Sequence, residues 1–376
     1  MTDGFRPTWV EVDLEAIRHD VRVLKPPSSE LMAVVKADGY GHGAVEVARA
    51  AIEAGATWCG VALVEEGLEL RRAGIEVPIL VLSELPPGSE AVAVAHRLTP
   101  TIASTAGLDR LSVAAPGRVA VHVKVDTGMH RIGVWPPEDT PRFVDAVEAA
   151  GLEVEGLYTH FARSEDDERT TRDQLERFLR AVEAVRAAGR RPRVLHAANT
   201  GAIVRHPASH LDLVRAGIGM YGIEPAPGVC AGLGLRQAIR WRSEVSAVRR
   251  LAAGEATSYG HRYRLERDAW IATVPVGYAD GYPRHLTEDG EVLIRGRRVP
   301  VAGTVTMDQL LVDCGDEAVE PGEEIVLIGT QGSASITVED LAGVLSTVGH
   351  EVVTGIGPRV PRRYVSSAGA AAEEGA

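Results

Sequence analysis

From Leu31 to Val214 the sequence repeats one alternation eight times: a short apolar run, then a longer polar stretch with helical spacing. The apolar runs are Leu31–Val35, Trp58–Ala62, Pro78–Leu82, Leu98–Ile102, Val119–Val125, Val154–Thr159, Arg193–His196 and Leu211–Val214. Between them lie Ala-, Glu- and Arg-rich segments such as Ala44–Ala54, Glu65–Ala73 and Asp173–Ala188. Strands joined by helices of this length must run parallel, because the connection has to return the chain to the same end of the sheet. Eight of them in about 200 residues predict a closed (β/α)₈ barrel rather than an open sheet. Hydrophobic residues make up 45% of the 376, enough to fill such a core.

After about Ala231 the texture changes. Trp241–Leu251, Ala269–Val276, Glu291–Val301, Leu310–Cys314 and Glu324–Ile328 are β-branched or alternating runs between Gly, Asp and Pro turns, the pattern of an all-β domain. Trp9–Val12 reads as a strand ahead of a helix over Leu14–Leu24, and it could pair with that distant domain. The expected division is a barrel over 12–231 and a mainly-β domain of 1–11 plus 232–376, with 366–376 a low-complexity, disordered tail. A net charge of −12 argues against nucleic-acid or anionic-membrane partners, which need a basic face. Three separated cysteines, Cys59, Cys230 and Cys314, indicate neither a disulfide framework nor a thiolate metal site. With no apolar leader and no membrane-length apolar run, the expectation is a soluble cytoplasmic protein.

In a barrel, the residues after each strand line the active site. The first strand runs into Lys36-Ala37-Asp38-Gly39-Tyr40-Gly41-His42-Gly43. A lysine held among apolar neighbours loses its proton more readily and can attack a carbonyl. The residues alone leave two readings open, this reactive amine or a strand-end lysine reaching solvent before a glycine turn. The ten residues from Val34 to Gly43, however, resemble the pyridoxal-phosphate attachment signature of bacterial alanine racemases. That resemblance implies pyridoxal 5'-phosphate on Lys36, a C-terminal β domain, and a homodimer whose active sites draw on both subunits.

The run Arg215-Ala216-Gly217-Ile218-Gly219-Met220-Tyr221-Gly222 formally fits a dinucleotide fingerprint, but Glu224-Pro225-Ala226-Pro227-Gly228 follows where that fingerprint needs a helix. It reads better as a glycine turn after the eighth strand, a common phosphate site in barrels. By resemblance, the backbone of Gly217 and Ile218 faces the cofactor phosphate, with Thr200 standing where the family usually has serine. Arg215 sits against the pyridine nitrogen, supported by His196, and Tyr40 and Asn199 join the cofactor site. An arginine does not give up its proton, so it favours controlled proton exchange over wider carbanion chemistry.

Racemisation needs a base on each face of the substrate. The resemblance gives Lys36 one face and Tyr259, in Ala256-Thr257-Ser258-Tyr259-Gly260, the other, reaching in from the partner subunit with His160 as its hydrogen-bond partner. Alone, Tyr259 reads as a structural aromatic and His160 as a satisfied core histidine. Val123-Lys124-Val125-Asp126-Thr127-Gly128-Met129-His130-Arg131 resembles the family segment in which Arg131 faces the substrate carboxylate and Lys124 is often carbamylated. Met307 matches a loop offering backbone N–H groups to that carboxylate. The chain departs from the family at Thr304, usually an arginine at the site's entrance, and at His350, usually a tyrosine reaching the phosphate. The first departure points to tolerance of substrates larger than alanine, the second to weaker or more pH-dependent cofactor retention. A barrel-type pyridoxal-phosphate decarboxylase and a non-catalytic pyridoxal-phosphate carrier are the competing functions. Tyr259 and Arg215 speak against the first, and the residues after the barrel against the second.

Overall fold

The computed structural model describes residues 5–366 except Pro116, and the tail expected to be disordered lies, beyond Ser366, outside the described residues. The chain forms two compact units, one of Ala16–Arg236 and the other of the segments up to Glu15 and from Gln237 onward.

The opening strand, β1 (Thr8–Asp13), belongs to the second unit. The first unit is the barrel. Its strands are β2 (Glu30–Val34), β3 (Trp58–Val61), β4 (Ile79–Glu84), β5 (Leu98–Ile102), β6 (Ala120–Lys124), β7 (Glu153–Tyr158), β8 (Val194–His196) and β9 (Leu213–Ala216). From β2 to β8 each strand pairs in parallel with the next, and β9 pairs back on β2. The remaining seam, β8 to β9, is held by Arg215 N–H on Ala198 O (3.0 Å) and Asp212 N–H on Leu195 O (3.0 Å). The Asp212 carboxylate also accepts from Leu195 N–H at 2.8 Å. All eight expected apolar runs are strands, because residues such as Leu31, Val61, Leu80, Val123 and Leu157 are buried on both sides of the sheet. Each such side chain contributes about 1.5–3 kcal/mol on leaving water.

The outer helices turn one stripe inward. Glu168–Ala187 buries Leu175, Phe178, Val182 and Val185. It starts five residues before the expected Asp173 because Asp167 caps it, accepting from Thr170 N–H at 2.9 Å.

In the second unit, β1 runs antiparallel to β10 (Ile239–Glu244), with Val10 opposite Trp241, and parallel to Arg362–Val365. Two expected runs prove to be two strands each. Trp241–Leu251 divides into β10 and β11 (Ala247–Leu251), which lie in different sheets. Glu291–Val301 is a hairpin of Glu291–Ile294 and Arg297–Pro300. The domain is also not all-β. Val338–Leu345 and Gly349–Gly355 are helices, the first with Thr337 and Asp340 capping each other's backbone N–H at 3.0 Å. Among the described residues no helix is long and apolar enough to cross a membrane.

Candidate active site

Lys36 leaves the end of β2 into a turn of the wrong hand. Ala37, Asp38, Gly39 and Tyr40 all have φ between 52° and 59°. For a residue with a Cβ this costs about 1–2 kcal/mol, and only Gly39 escapes it. Hydrogen bonds from outside hold the turn. The Glu66 carboxylate accepts from Ala37 N–H (2.7 Å) and, on its other oxygen, from Ala62 and Leu63 N–H (2.7 and 3.0 Å). Asp38 accepts from Ala44 N–H at 3.0 Å. Burial, then the nearby Arg131, pulls the Lys36 ammonium below its usual range, against the opposing pull of Glu66. Its Nζ lies 5.9 Å from the centre of the Tyr40 ring.

Arg215 is buried on β9. It donates to His196 Nδ1 (2.9 Å) from one terminal nitrogen and to Thr159 O (2.8 Å) and Ala197 O (2.9 Å) from the other, which also lies 3.2 Å from His160 Nδ1. Burial lowers its pKa to about 10, still protonated at neutral pH. The two hydrogens of that second nitrogen serve the two carbonyls, so the contact with His160 Nδ1 does not set the His160 tautomer. Burial, followed by the charges of Arg215, Lys124, Arg131 and Lys36, keeps His160 well below the usual histidine range and so neutral. Lys124, buried at the end of β6, is lowered to about 7 by burial, then by Arg131 and Arg215, with Asp126 opposing. Arg131 itself is exposed in the following loop.

Thr200 Oγ1 accepts from Gly217 N–H (3.1 Å) and Gly219 N–H (3.4 Å), so it organises the turn after β9. The Gly217 N–H, expected to face a phosphate, is therefore already engaged. Side chains have no room here. A Cβ on Gly217 would lie 3.0 Å from Tyr40 Oη, and one on Gly219 2.6 Å from Thr200 Cγ2. Asn199 caps the helix Thr200–Arg205, its oxygen accepting from Ala202 N–H (3.1 Å) and Ser164 Oγ (2.7 Å). The barrel thus gathers Lys36, Tyr40, Lys124, Arg131, His160, His196, Asn199, Thr200, Arg215, Gly217 and Ile218 at the carboxyl ends of its strands.

Tyr259, Met307 and His350 belong to the second unit. Tyr259 is 75% exposed and Met307 52%. Tyr259 follows Ser258, whose φ is +56° and whose Oγ donates to Thr304 O at 2.6 Å. Thr304 Oγ1 donates back to Tyr259 O at 2.7 Å. A cavity of about 420 Å³ opens beside this pair, lined also by Thr306, Gln309 and Leu311. His350 lies on the helix Gly349–Gly355.

Models of the N-terminal and C-terminal domains of alanine racemase match residues 12–225 and 238–364. The chain belongs to the alanine racemase family. The alanine racemase of Symbiobacterium thermophilum is 49% identical over 96% of this chain and 98% of its own, and that of Desulfovibrio desulfuricans 43% over the same shares. Among solved structures, alanine racemase from Bacillus anthracis with bound L-Ala-P superposes with a TM-score of 0.93 at 37% identity, covering 97% of both chains. That of Streptomyces coelicolor gives 0.92 at 40%, covering 96% of this chain and 98% of the other.

Against the alanine racemase pattern, three residues of the site escaped the sequence reading. Glu66 holds the Lys36 turn and accepts from Leu63 N–H three residues earlier; with leucine in place of Ser or Thr at the cap, no capping box marked it in the sequence. Tyr158 lies flat on His196, ring centres 4.6 Å apart at 7°, with Arg215 and Lys124 over its ring at 5.5 and 5.4 Å. His122 accepts or donates at 2.8 Å to His196; two residues before Lys124 on a strand, it shares that lysine's inward face.

Proposed function

We propose that this chain interconverts L- and D-alanine with pyridoxal 5'-phosphate carried on Lys36, as a homodimer in which Tyr259 of one subunit serves the barrel of the other. The observation that carries the reading is the Lys36 amine, partly desolvated on a rigid turn and surrounded by cations. Lys36, Lys124, Arg131 and Arg215 lower one another's pKa or that of His160, so their natural complement is an anionic ligand. A phosphorylated, carboxylate-bearing ligand fits that field, and the glycine turn at Gly217 and Gly219 allows close approach.

In this reading Thr200, Tyr40 and Ile218 hold the phosphate, Gly217 lets it approach the turn, Asn199 braces the helix that Thr200 opens, and His350 takes the tyrosine's usual place. Arg215 faces the ring nitrogen, and Arg131 with the backbone at Met307 takes the substrate carboxylate. The cofactor, when bound, supplies an electron-withdrawing ring that acidifies the α-proton of an attached amino acid. Lys36, as a neutral amine, takes or returns that proton on one face. Tyr259 serves the other face, with His160 as its hydrogen-bond partner. Lys124 near neutrality keeps a free-amine fraction, the form that carbamylation by carbon dioxide requires. In this reading the activity is cytoplasmic.

A chiral assay with L-alanine and added cofactor tests this. D-alanine should accumulate to an equal mixture, and Lys36→Ala should abolish it, by about 10³-fold or more. No D-alanine from the wild-type protein would refute the reading. The cavity beside Thr304 favours a second reading, a broader amino-acid racemase. L-serine in the same assay, turned over no faster than by Lys36→Ala, would remove it.

A further inference from the structure

We propose that His196 and His122 are positioning residues, a hydrogen-bond relay of fixed direction through the barrel interior that holds Arg215 as a donor toward the cofactor ring, with the charge of Glu155 set at its far end. The inference rests on the reading that Arg215 faces that ring, but the relay itself follows from geometry.

Arg215 can only donate, so His196 Nδ1, 2.9 Å away, must accept. A neutral His196 then carries its hydrogen on Nε2, which lies 2.8 Å from His122 Nδ1. His122 Nδ1 therefore accepts, and its own hydrogen is on Nε2, which makes no hydrogen bond among the described residues and has the charge of Glu155 Oε2 3.6 Å away. The other Glu155 oxygen is held by the Arg193 guanidinium. Each of the two hydrogen bonds is fixed in direction, the second by the first, and reversal is closed because Arg215 has no acceptor. A second proton on either imidazole would set one N–H against another, at Arg215 or at His196.

The surroundings are built for this chain. Both histidines are fully buried. Burial holds both below the usual histidine range, His196 also through Arg215, His122 and Lys124, while Glu155 pulls the other way on His122. Gly156 exists to admit His122, since a Cβ there would lie 2.6–2.8 Å from three of its ring atoms. Trp58 packs on the His122 ring at 5.3 Å, and Tyr158 stacks on His196. The Tyr158 ring is pinned in turn, its hydroxyl donating to Leu82 O (3.0 Å) and meeting Thr101 Oγ1 (2.9 Å). The relay ends beside a carboxylate although, among the described residues, none makes an ion pair with Arg215 itself. Glu155 thus acts on Arg215 only by polarising two neutral rings.

The test is 15N magic-angle-spinning spectroscopy of the full chain, histidine-labelled and loaded with cofactor, with His122 and His196 assigned by difference from their Gln variants. Both rings should carry the hydrogen on Nε2 and stay neutral at pH 6. Glu155→Leu should mix the tautomers of His122 and shift the His196 resonances. If that variant does not fold, Glu155→Gln keeps an acceptor oxygen and should give smaller shifts of the same sign. A hydrogen on His196 Nδ1 in the wild type, or His196 resonances unmoved by both variants, would overturn the relay. In the loaded enzyme Glu155→Leu should shift the cofactor absorption band and lower kcat about tenfold with KM within about twofold. An unmoved band and kcat, alongside altered histidine spectra, would overturn the action on Arg215. Wild-type protein that does not racemise alanine is a separate result, and it would refute the functional reading instead.

Discussion

The two units hold their candidate site residues in opposite ways. In the barrel, Arg215, His196, Lys124 and Thr200 are buried, and the first three charge or polarise one another. In the second unit, Tyr259 and Met307 stand on the surface with most of their side chains in water. A buried cation survives only inside a network that also fixes its direction. An exposed tyrosine needs only its backbone positioned, and Ser258 and Thr304 do that by exchanging hydrogen bonds with the main chain. The barrel is thus complete as a polar interior, whereas the second unit carries its candidate residues on its surface.

That contrast can be broken most sharply at Tyr259. Tyr259→Phe should lower racemisation about 10²–10⁴-fold, the usual loss for a general acid–base group. Its Tm should stay within about 1 °C of wild type, because an exposed hydroxyl supports no packing. A large drop in Tm would mean that Tyr259 is structural. If the site is shared, two dead proteins should rescue each other. Mixing Lys36→Ala with Tyr259→Phe should restore about a quarter of wild-type activity, since half the dimers would be mixed and each would hold one intact site. No recovery after subunit exchange would place Lys36 and Tyr259 of one site in the same chain.

Gly156→Ala probes the opposite region. With His122 ring atoms 2.6–2.8 Å from the new methyl, it should cost about 1–3 kcal/mol in chemical denaturation. Unchanged stability would show the barrel interior to be looser than its geometry implies. The smallest effect concerns Lys124. Its pKa is about 7 in the folded chain against 10.5 as the reference. Below pH 7 both states are protonated and the burial penalty is fully present. Between 7 and 10.5 only the unfolded chain keeps the proton, so stability rises with pH. In carbon dioxide-free buffer, wild type should gain about 1–2 kcal/mol over Lys124→Met from pH 7 to 9. A constant gap would mean that Lys124 titrates alike in both states.

The same contrast governs what could be read from the sequence. The barrel strands were legible because burial on both faces leaves unbroken apolar runs. In the second unit, Trp241–Leu251 looked continuous because Val245-Ser246 carries no glycine or proline, although the chain changes sheet there. The Glu291–Pro300 hairpin was hidden by an Arg295-Gly296 turn. Both residues have positive φ, yet arginine is not the Asn or Asp that usually announces such a turn. For the site, Lys36, Arg215 and Tyr259 are singled out by resemblance, the residues alone leaving bland alternatives. The relay was invisible because Glu155, His122 and His196 come from three strands, and only the closed barrel brings them into line.

The backward turn that seats Lys36 gives the segment an unusual relation to its own shape. Three of its four positive-φ residues have side chains that oppose the conformation, and its closest restraint, Glu66, arrives from the connection after β3. Cut from the barrel, the stretch from Val34 to Gly43 would relax to ordinary right-handed or extended backbone. The ten residues that best mark the family thus encode little of the conformation they adopt. A transplant of the lysine and its glycines into another scaffold would carry the signature but leave the geometry behind.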